Sequence, residues 1–391
     1  MNGSAQRKTV SRKVALLSES VIREMTRLAD RHGAINLAQG FPDFATPTDI
    51  KAAAIRAIEE DYNQYAVTWG SPRLREAIAK KAAWFNGISA DPDRNVTVTC
   101  GSTEAMMASV MALADSGDEV LMFEPAYENY GPSAILAGAT PRPVPLGPDF
   151  GLDGEALKAA FSRRTKLVIV NTPHNPSGKV FDKGDLRTIA DLCEDFGAIA
   201  VTDEIYEHIL YDGREHVSLA TLGDMAGRTV TISGISKTYT ATGWRVGYTI
   251  ADKAFTNAIR KVHDYMTLCA PAPFQEAAAF ALGLPRSFYA DLSMSYQRKR
   301  DVIAKGLRDI GFEFFLPEGS YYILADFSRL SRFGDTKFAA SMTVDCGVAV
   351  VPGSSFYADP RKGRKLVRFS YSKKDSTLTD ALTKMKAFFG I

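Results

Sequence analysis

From about residue 95 onward, short apolar runs rich in β-branched residues alternate with longer segments in which apolar residues recur at helical spacing. The runs are 96–99, 119–123, 140–144, 167–171, 198–203, 229–233 and 247–250, and intervening segments such as 104–113 and 185–196 carry the helical pattern. This alternation predicts an α/β fold in which a mostly parallel sheet is covered by helices. Ligands of such sheets lie beyond the carboxyl ends of the strands, so the residues that follow each run are the ones to read for chemistry. After about residue 285 the pattern changes to a long charged helix near 293–309 and strand-like stretches at 321–326, 348–351 and 366–370. A second, smaller α+β lobe is expected there.

Composition narrows the picture. The chain has 391 residues, 46% hydrophobic and 24% charged, enough for a large core in two lobes. Its 47 basic and 45 acidic residues leave a net charge of +2, so no overall field draws it to nucleic acid or to an anionic membrane. No run approaches the ~20 apolar residues that cross a bilayer, and no repeat period points to a solenoid or propeller. Cys100, Cys193, Cys269 and Cys346 are far apart, with no CxxC pair, zinc spacing or disulfide framework, which fits a reducing compartment. The basic start, with Arg7, Lys8, Arg12 and Lys13, reads as a mobile arm, and its acid-poor composition is also that of an organelle transit segment.

Polar groups converge at the strand ends. Gly101-Ser102-Thr103 leads from a strand into a helix and offers backbone amides, two hydroxyls and a positive dipole end to an anion such as phosphate; the same residues serve equally as a plain N-cap. Asn171-Thr-Pro-His-Asn-Pro-Ser-Gly178 is stiffened by two prolines, so Asn175 either presents its amide to a ligand or closes an Asx-turn. Asp203 ends an apolar strand, where a carboxylate needs a cation or hydrogen-bond donors, and the Tyr206 phenol three residues on faces the same region. Lys237 follows the run 229–233 in a stretch dense in hydroxyls and glycines. A lysine desolvated near another cation, here Arg245, has a depressed pKa and acts as an amine nucleophile toward carbonyls.

Taken with Ala38-Gln-Gly-Phe-Pro-Asp-Phe44, Tyr65, Gly70-Ser-Pro-Arg-Leu-Arg-Glu-Ala-Ile78, Thr242-Gly-Trp-Arg-Val-Gly-Tyr248 and Arg368-Phe-Ser370, this ordered set resembles the fold-type I pyridoxal-phosphate aminotransferases of class I, in particular the kynurenine, glutamine and methionine aminotransferase branch. The resemblance covers nearly the whole chain. It implies a large domain over 46–285 with a seven-stranded sheet, a small domain from 14–45 and 286–391, and an arm over 1–13. It implies pyridoxal 5′-phosphate as cofactor and no metal, and a ping-pong transfer of the amino group from an L-amino acid to a 2-oxo acid. Lys237 becomes the lysine that holds the cofactor and later shuttles the substrate proton. Asp203 becomes the partner of the pyridine nitrogen, an ion pair that at ~4 Å and an effective dielectric near 20 is worth about 4 kcal/mol, or roughly three pKa units.

By the same resemblance Asn175 and Tyr206 bond the ring's phenolic oxygen and Tyr127 stacks on its face. Gly101, Ser102, Thr103, Ser236 and Arg245 hold the phosphate, together with Tyr65 from the neighbouring subunit of a homodimer with shared active sites. Arg368, with Gly40 and Asn175, grips the substrate α-carboxylate. Thr103 stands where the bacterial aspartate-specific subgroup commonly has lysine, and Phe41, Tyr62, Tyr65 and Trp69 suggest either an aromatic-lined pocket or ordinary core or dimer packing; the expected donors are aromatic, sulfur-containing or glutamine-like. Cysteine-conjugate β-lyase and aspartate aminotransferase are the alternatives on this fold. The expected setting is the cytoplasm, with neither nucleic acid nor membrane as partner.

Overall fold

The computed structural model describes residues 10–391. The arm expected over 1–13, and with it Arg7 and Lys8, falls outside the described residues as far as residue 9; Lys13 donates from Nζ to the Leu136 carbonyl at 2.8 Å. In chain order the strands are β1 (Ile35–Asn36), β2 (Val96–Thr99), β3 (Glu119–Glu124), β4 (Thr140–Pro145), β5 (Thr165–Asn171), β6 (Ile199–Asp203), β7 (Thr229–Gly234), β8 (Gly247–Ile250), β9 (Glu313–Phe314), β10 (Tyr322–Asp326), β11 (Val348–Ala349), β12 (Val351–Pro352) and β13 (Leu366–Ser370).

The seven runs read from the sequence form one seven-stranded sheet in the order β2-β8-β7-β6-β5-β3-β4. Strand β8 is antiparallel to both neighbours and the other pairings are parallel. Successive residues of the central strands enter two different cores. Val120, Leu167, Ile169 and Val201 pack with Ala105, Ala108 and Val110 of the helix Gly101–Leu113, while Leu121, Val168, Val170 and Ala200 pack with Leu186, Ile189 and Cys193 of the helix Lys183–Phe196. A sheet buried on both faces needs continuous apolar strands, and that is why these runs lack polar alternation. Edge strand β4 tolerates Pro141, Pro143 and Pro145 because a strand at the edge has one side free of ladder hydrogen bonds.

Beyond the sheet, the helix Arg286–Ile310 is longer than the stretch 293–309 expected from charge pattern, since Phe288 and Tyr289 extend it back to Pro285. The expected strand 348–351 is two strands. Val348–Ala349 pairs parallel with β1, and Val351–Pro352 pairs antiparallel with β13 in the four-stranded sheet β12-β13-β10-β9. The chain switches sheets at Val350, and periodicity cannot register a change of partner within one apolar run. No helix among the described residues is long and apolar enough to cross a membrane.

Candidate active site

The register of the parallel strands builds the floor of a cavity of about 290 Å³. Asn171 and Asp203 are paired residues at the ends of β5 and β6, and the Asn171 amide donates to the Asp203 carbonyl at 2.9 Å while its oxygen accepts the Asn175 N–H at 2.8 Å. The turn 171–178 is thereby fixed to the floor: the side chain that closes it is that of Asn171, while the Asn175 side chain lines the cavity and accepts from Arg368. Gly40, Ser102, Thr103, Tyr127, Asn175, Asp203, Tyr206, Ser236, Lys237, Arg245 and Arg368 all line this space.

Two expected residues stand apart. Gly101 lies behind the wall at φ +81°, where a Cβ would collide with the Arg245 guanidinium, so only glycine lets that side chain pass under the helix start. Tyr65 is 82% exposed and borders a different groove with Tyr62, Val67 and Ala272. Trp69 lies under Arg260, 4.9 Å from the guanidinium carbon to the ring. Within one chain Phe41 alone of the four suggested aromatics lines the cavity.

Asp203 is buried with few partners: the Tyr130 hydroxyl donates to it at 2.8 Å and the Ile205 N–H at 3.3 Å. Burial pushes its carboxyl up to about 6, against the lowering effect of those bonds and of Lys237. Lys237 donates to the Gly40 carbonyl at 3.1 Å, and burial holds its amine below the ordinary lysine value. Arg368 is 1% exposed and sits between Tyr322 and Phe356, with ring distances of 4.2 and 5.0 Å. Its two terminal nitrogens donate to Asn175 Oδ1 at 2.9 Å and to the Ala38 carbonyl at 2.8 Å, whereas its Nε has no partner among the described residues. A buried guanidinium with donors to spare is matched to a carboxylate.

At the far end, Arg245 adopts a left-handed backbone (φ 55°) and donates to the carbonyls of Thr242 at 3.0 Å and Cys100 at 3.3 Å. Its charge, the start of the helix Gly101–Leu113 and the hydroxyls of Ser102, Thr103 and Ser236 together form an anion cup.

Residues 32–385 match the family model described as aminotransferase class I and II. The chain belongs to that family. Over 375 residues it is 38% identical to methionine aminotransferase of Escherichia coli, covering 96% of this chain and 97% of that protein. Kynurenine–oxoglutarate transaminase of Dictyostelium discoideum is 34% identical over 418 residues, with 96% of each chain covered. Among solved structures, N-succinyldiaminopimelate aminotransferase of Mycobacterium tuberculosis superposes with a TM-score of 0.94 at 39% identity, covering 97% of this chain and 99% of that one.

Class I aminotransferases use pyridoxal 5′-phosphate, and the cavity of this aminotransferase suits that group on its own terms. It offers an anion cup, a buried amine for an aldehyde, and a buried carboxylate that lacks a cation in contact with it. Several cavity residues escaped the reading of the sequence, among them Ile22, Arg23, Glu128, Tyr130 and Tyr322. Tyr130, the donor to Asp203, opens the helix Tyr130–Ala137 three residues after Tyr127. Tyr322 bonds the Tyr206 hydroxyl at 3.1 Å; in β10 it lies two residues from Leu324, the cross-strand partner of Arg368, so both share one face of the small sheet. Glu204, Glu207 and His216 bring ligand-type atoms within 4.8 Å of one another behind the cavity, but Lys81 pairs with Glu207 at 2.5 Å and His216 bonds Glu204 at 2.7 Å, so the chain itself supplies the countercharge.

Proposed function

We propose that this aminotransferase takes aromatic, sulfur-containing or glutamine-like L-amino acids as donors and 2-oxo acids as acceptors. The observation that carries the reading is the convergence on one cavity of the Lys237 amine, the under-partnered Asp203 carboxylate and the Arg368 guanidinium. The bound cofactor supplies the electron sink that makes the substrate Cα–H acidic. Asp203 would hold a proton at the pyridine nitrogen, and Lys237 would hold the cofactor and move the proton at the substrate Cα. Tyr206 and Asn175 orient the ring through its phenolic oxygen, and Tyr127 closes one side. Ser102, Thr103, Ser236 and Arg245 seat the phosphate, and Gly101 behind them leaves room for the Arg245 side chain. Arg368 binds the α-carboxylate with Gly40 and Asn175, which favours 2-amino acids over simple amines.

A homodimer belongs to this reading. Tyr65 is far more exposed than a tyrosine without a partner needs to be, and Tyr62, Val67 and Trp69 beside it are exposed as well; a second copy on this face brings Tyr65 to the neighbouring phosphate. The division into a large domain, 46–285, and a small domain, 14–45 with 286–391, is part of the same proposal. So is a cytoplasmic setting, to which four free cysteines are suited.

The experiment is a set of half-reactions. The purified protein is loaded with cofactor, single amino acids are added, and the visible band is followed. Methionine, an aromatic amino acid or glutamine is expected to bleach it, and Lys237→Ala to abolish the change. Response to aspartate alone favours the aspartate reading; release of pyruvate and ammonia without an acceptor favours the lyase.

A further inference from the structure

Behind the anion cup lies an ion pair outside the cavity lining. Glu104, in the first turn of the helix Gly101–Leu113, accepts the Cys100 N–H on one oxygen, and on the other the His263 ring at 2.7 Å and the Thr267 hydroxyl at 2.5 Å. His263 is fully buried on the helix Lys253–Met266, and its other nitrogen lies 2.7 Å from the Thr68 carbonyl. One ring thus faces two oxygens, a carboxylate and a carbonyl, and neither carries a hydrogen to give. The Thr267 hydroxyl also lies 3.3 Å from the ring nitrogen that meets Glu104, but its hydrogen goes to Glu104 at 2.5 Å, so only the doubly protonated imidazolium satisfies both oxygens. A neutral ring leaves one nitrogen lone pair against an oxygen in a buried site, a repulsive and desolvated arrangement.

The pieces joined in this way matter more than the pair itself. Cys100 immediately precedes the glycine turn of the cup. Thr68 belongs to the segment that carries Tyr65, and the residues after it are held separately: the Trp69 carbonyl by the Val98 N–H at 3.0 Å and the Gly70 carbonyl by Arg75 at 3.0 Å. The charged and titratable neighbours are Glu104 and Cys100 at the helix start, Cys269 beside Cys100, and Asp264 and Arg260 on the histidine's own helix. Burial opposes charge on both partners, yet hydrogen bonding between them holds the Glu104 carboxyl below and the His263 ring above their ordinary values.

We propose that His263 is a positioning residue, an imidazolium clamp that holds the phosphate cup and the Tyr65 segment in fixed relation and so sets the affinity for the cofactor's phosphate. The inference rests on the reading of Gly101–Thr103 as the phosphate seat. Pyridoxamine 5′-phosphate, which forms no bond to Lys237, is the probe, with phosphate-free pyridoxamine as its control. Its dissociation constant from the full-length cofactor-free protein is measured between about pH 6.5 and pH 9, a range chosen to span a raised histidine pKa.

For the wild type the constant is expected to rise about tenfold as the ring loses its proton, the weight of one charge-assisted hydrogen bond. His263→Gln is expected to bind about tenfold more weakly at the low end with no such step, while its turnover at saturating cofactor stays within about twofold. Thr267→Val, which leaves the imidazolium in place, keeps the step. Wild-type affinity and pH profile in His263→Gln overturn the clamp. If that variant does not fold, the wild type still decides: a step of equal size with pyridoxamine, or none with the phosphate, overturns it. Failure of pyridoxamine 5′-phosphate to bind at any pH is different, because it refutes the phosphate seat itself.

Discussion

Asp203 and Glu207 are four residues apart on one turn, both buried, and their surroundings are opposite. Glu207 meets Lys81 at 2.5 Å, the Asn86 amide at 2.7 Å and the Ser233 hydroxyl at 2.6 Å; although burial works against the charge, this company holds its carboxyl down to about 2. Asp203 meets a phenol and one backbone N–H, and burial holds it up to about 6. Same strand end, same dielectric: the difference is the cation. The closed network behind the turn fixes its position, and the open one in front leaves a demand for positive charge facing the cavity. In the proposed role of Asp203, such a site gives up stability of the empty protein in exchange for grip on a cationic ring.

The largest effect should come from abolishing the open side. Asp203→Asn is expected to slow the half-reaction by about a thousandfold, the equivalent of the roughly 4 kcal/mol ion pair, while the cofactor-free variant melts no lower than wild type at pH 7. A lower melting point there would mean that Asp203 serves the fold and that the contrast is false. Next is Lys81→Met, which strands the Glu207 carboxylate and should cost about 3 to 4 kcal/mol in urea unfolding, with cofactor-loaded chemistry retained in whatever fraction stays folded.

Acidity separates the two groups by sign. Asp203 has a folded pKa above its unfolded value near 4, so its contribution is fully present below about pH 4 and is lost as pH rises to about 6. Glu207 has a folded pKa below its unfolded value, so its contribution is present above about pH 4.5 and is lost as pH falls toward 2. Unfolding of the cofactor-free protein at stepped pH should therefore show a loss of up to about 3 kcal/mol between pH 4 and pH 6 that cofactor loading removes. An unchanged slope after loading contradicts the pairing. The smallest effect belongs to Tyr130→Phe, which removes the strongest donor to Asp203 and should raise its pKa further while costing about 1 kcal/mol, read from the pH dependence of the holoenzyme's visible band.

The readable part of the site was the part that lies at strand ends. Asp203, Asn175 and Lys237 each follow an apolar run, and a parallel sheet brings such positions to one edge however the helices pack. Tyr130 and Tyr322 were not readable in the same way, because each depends on how a helix or a second sheet leans over that edge. The split of 348–351 between two sheets is of the same kind.

Sequence alone determined the α/β class and the strands of the central sheet, since hydrophobic period is a local property of a chain, and it singled out Lys237, Asp203 and Arg368 as candidates that the fold brings to one cavity. Tertiary structure decided which buried acid receives a cation and which goes without. It also decided that Arg368 keeps an Nε without a partner among the described residues, that Tyr65 lies outside its own cavity, and that one histidine spans two loops. Charge balance inside a protein depends on distances between residues far apart in sequence, and those distances exist only after packing.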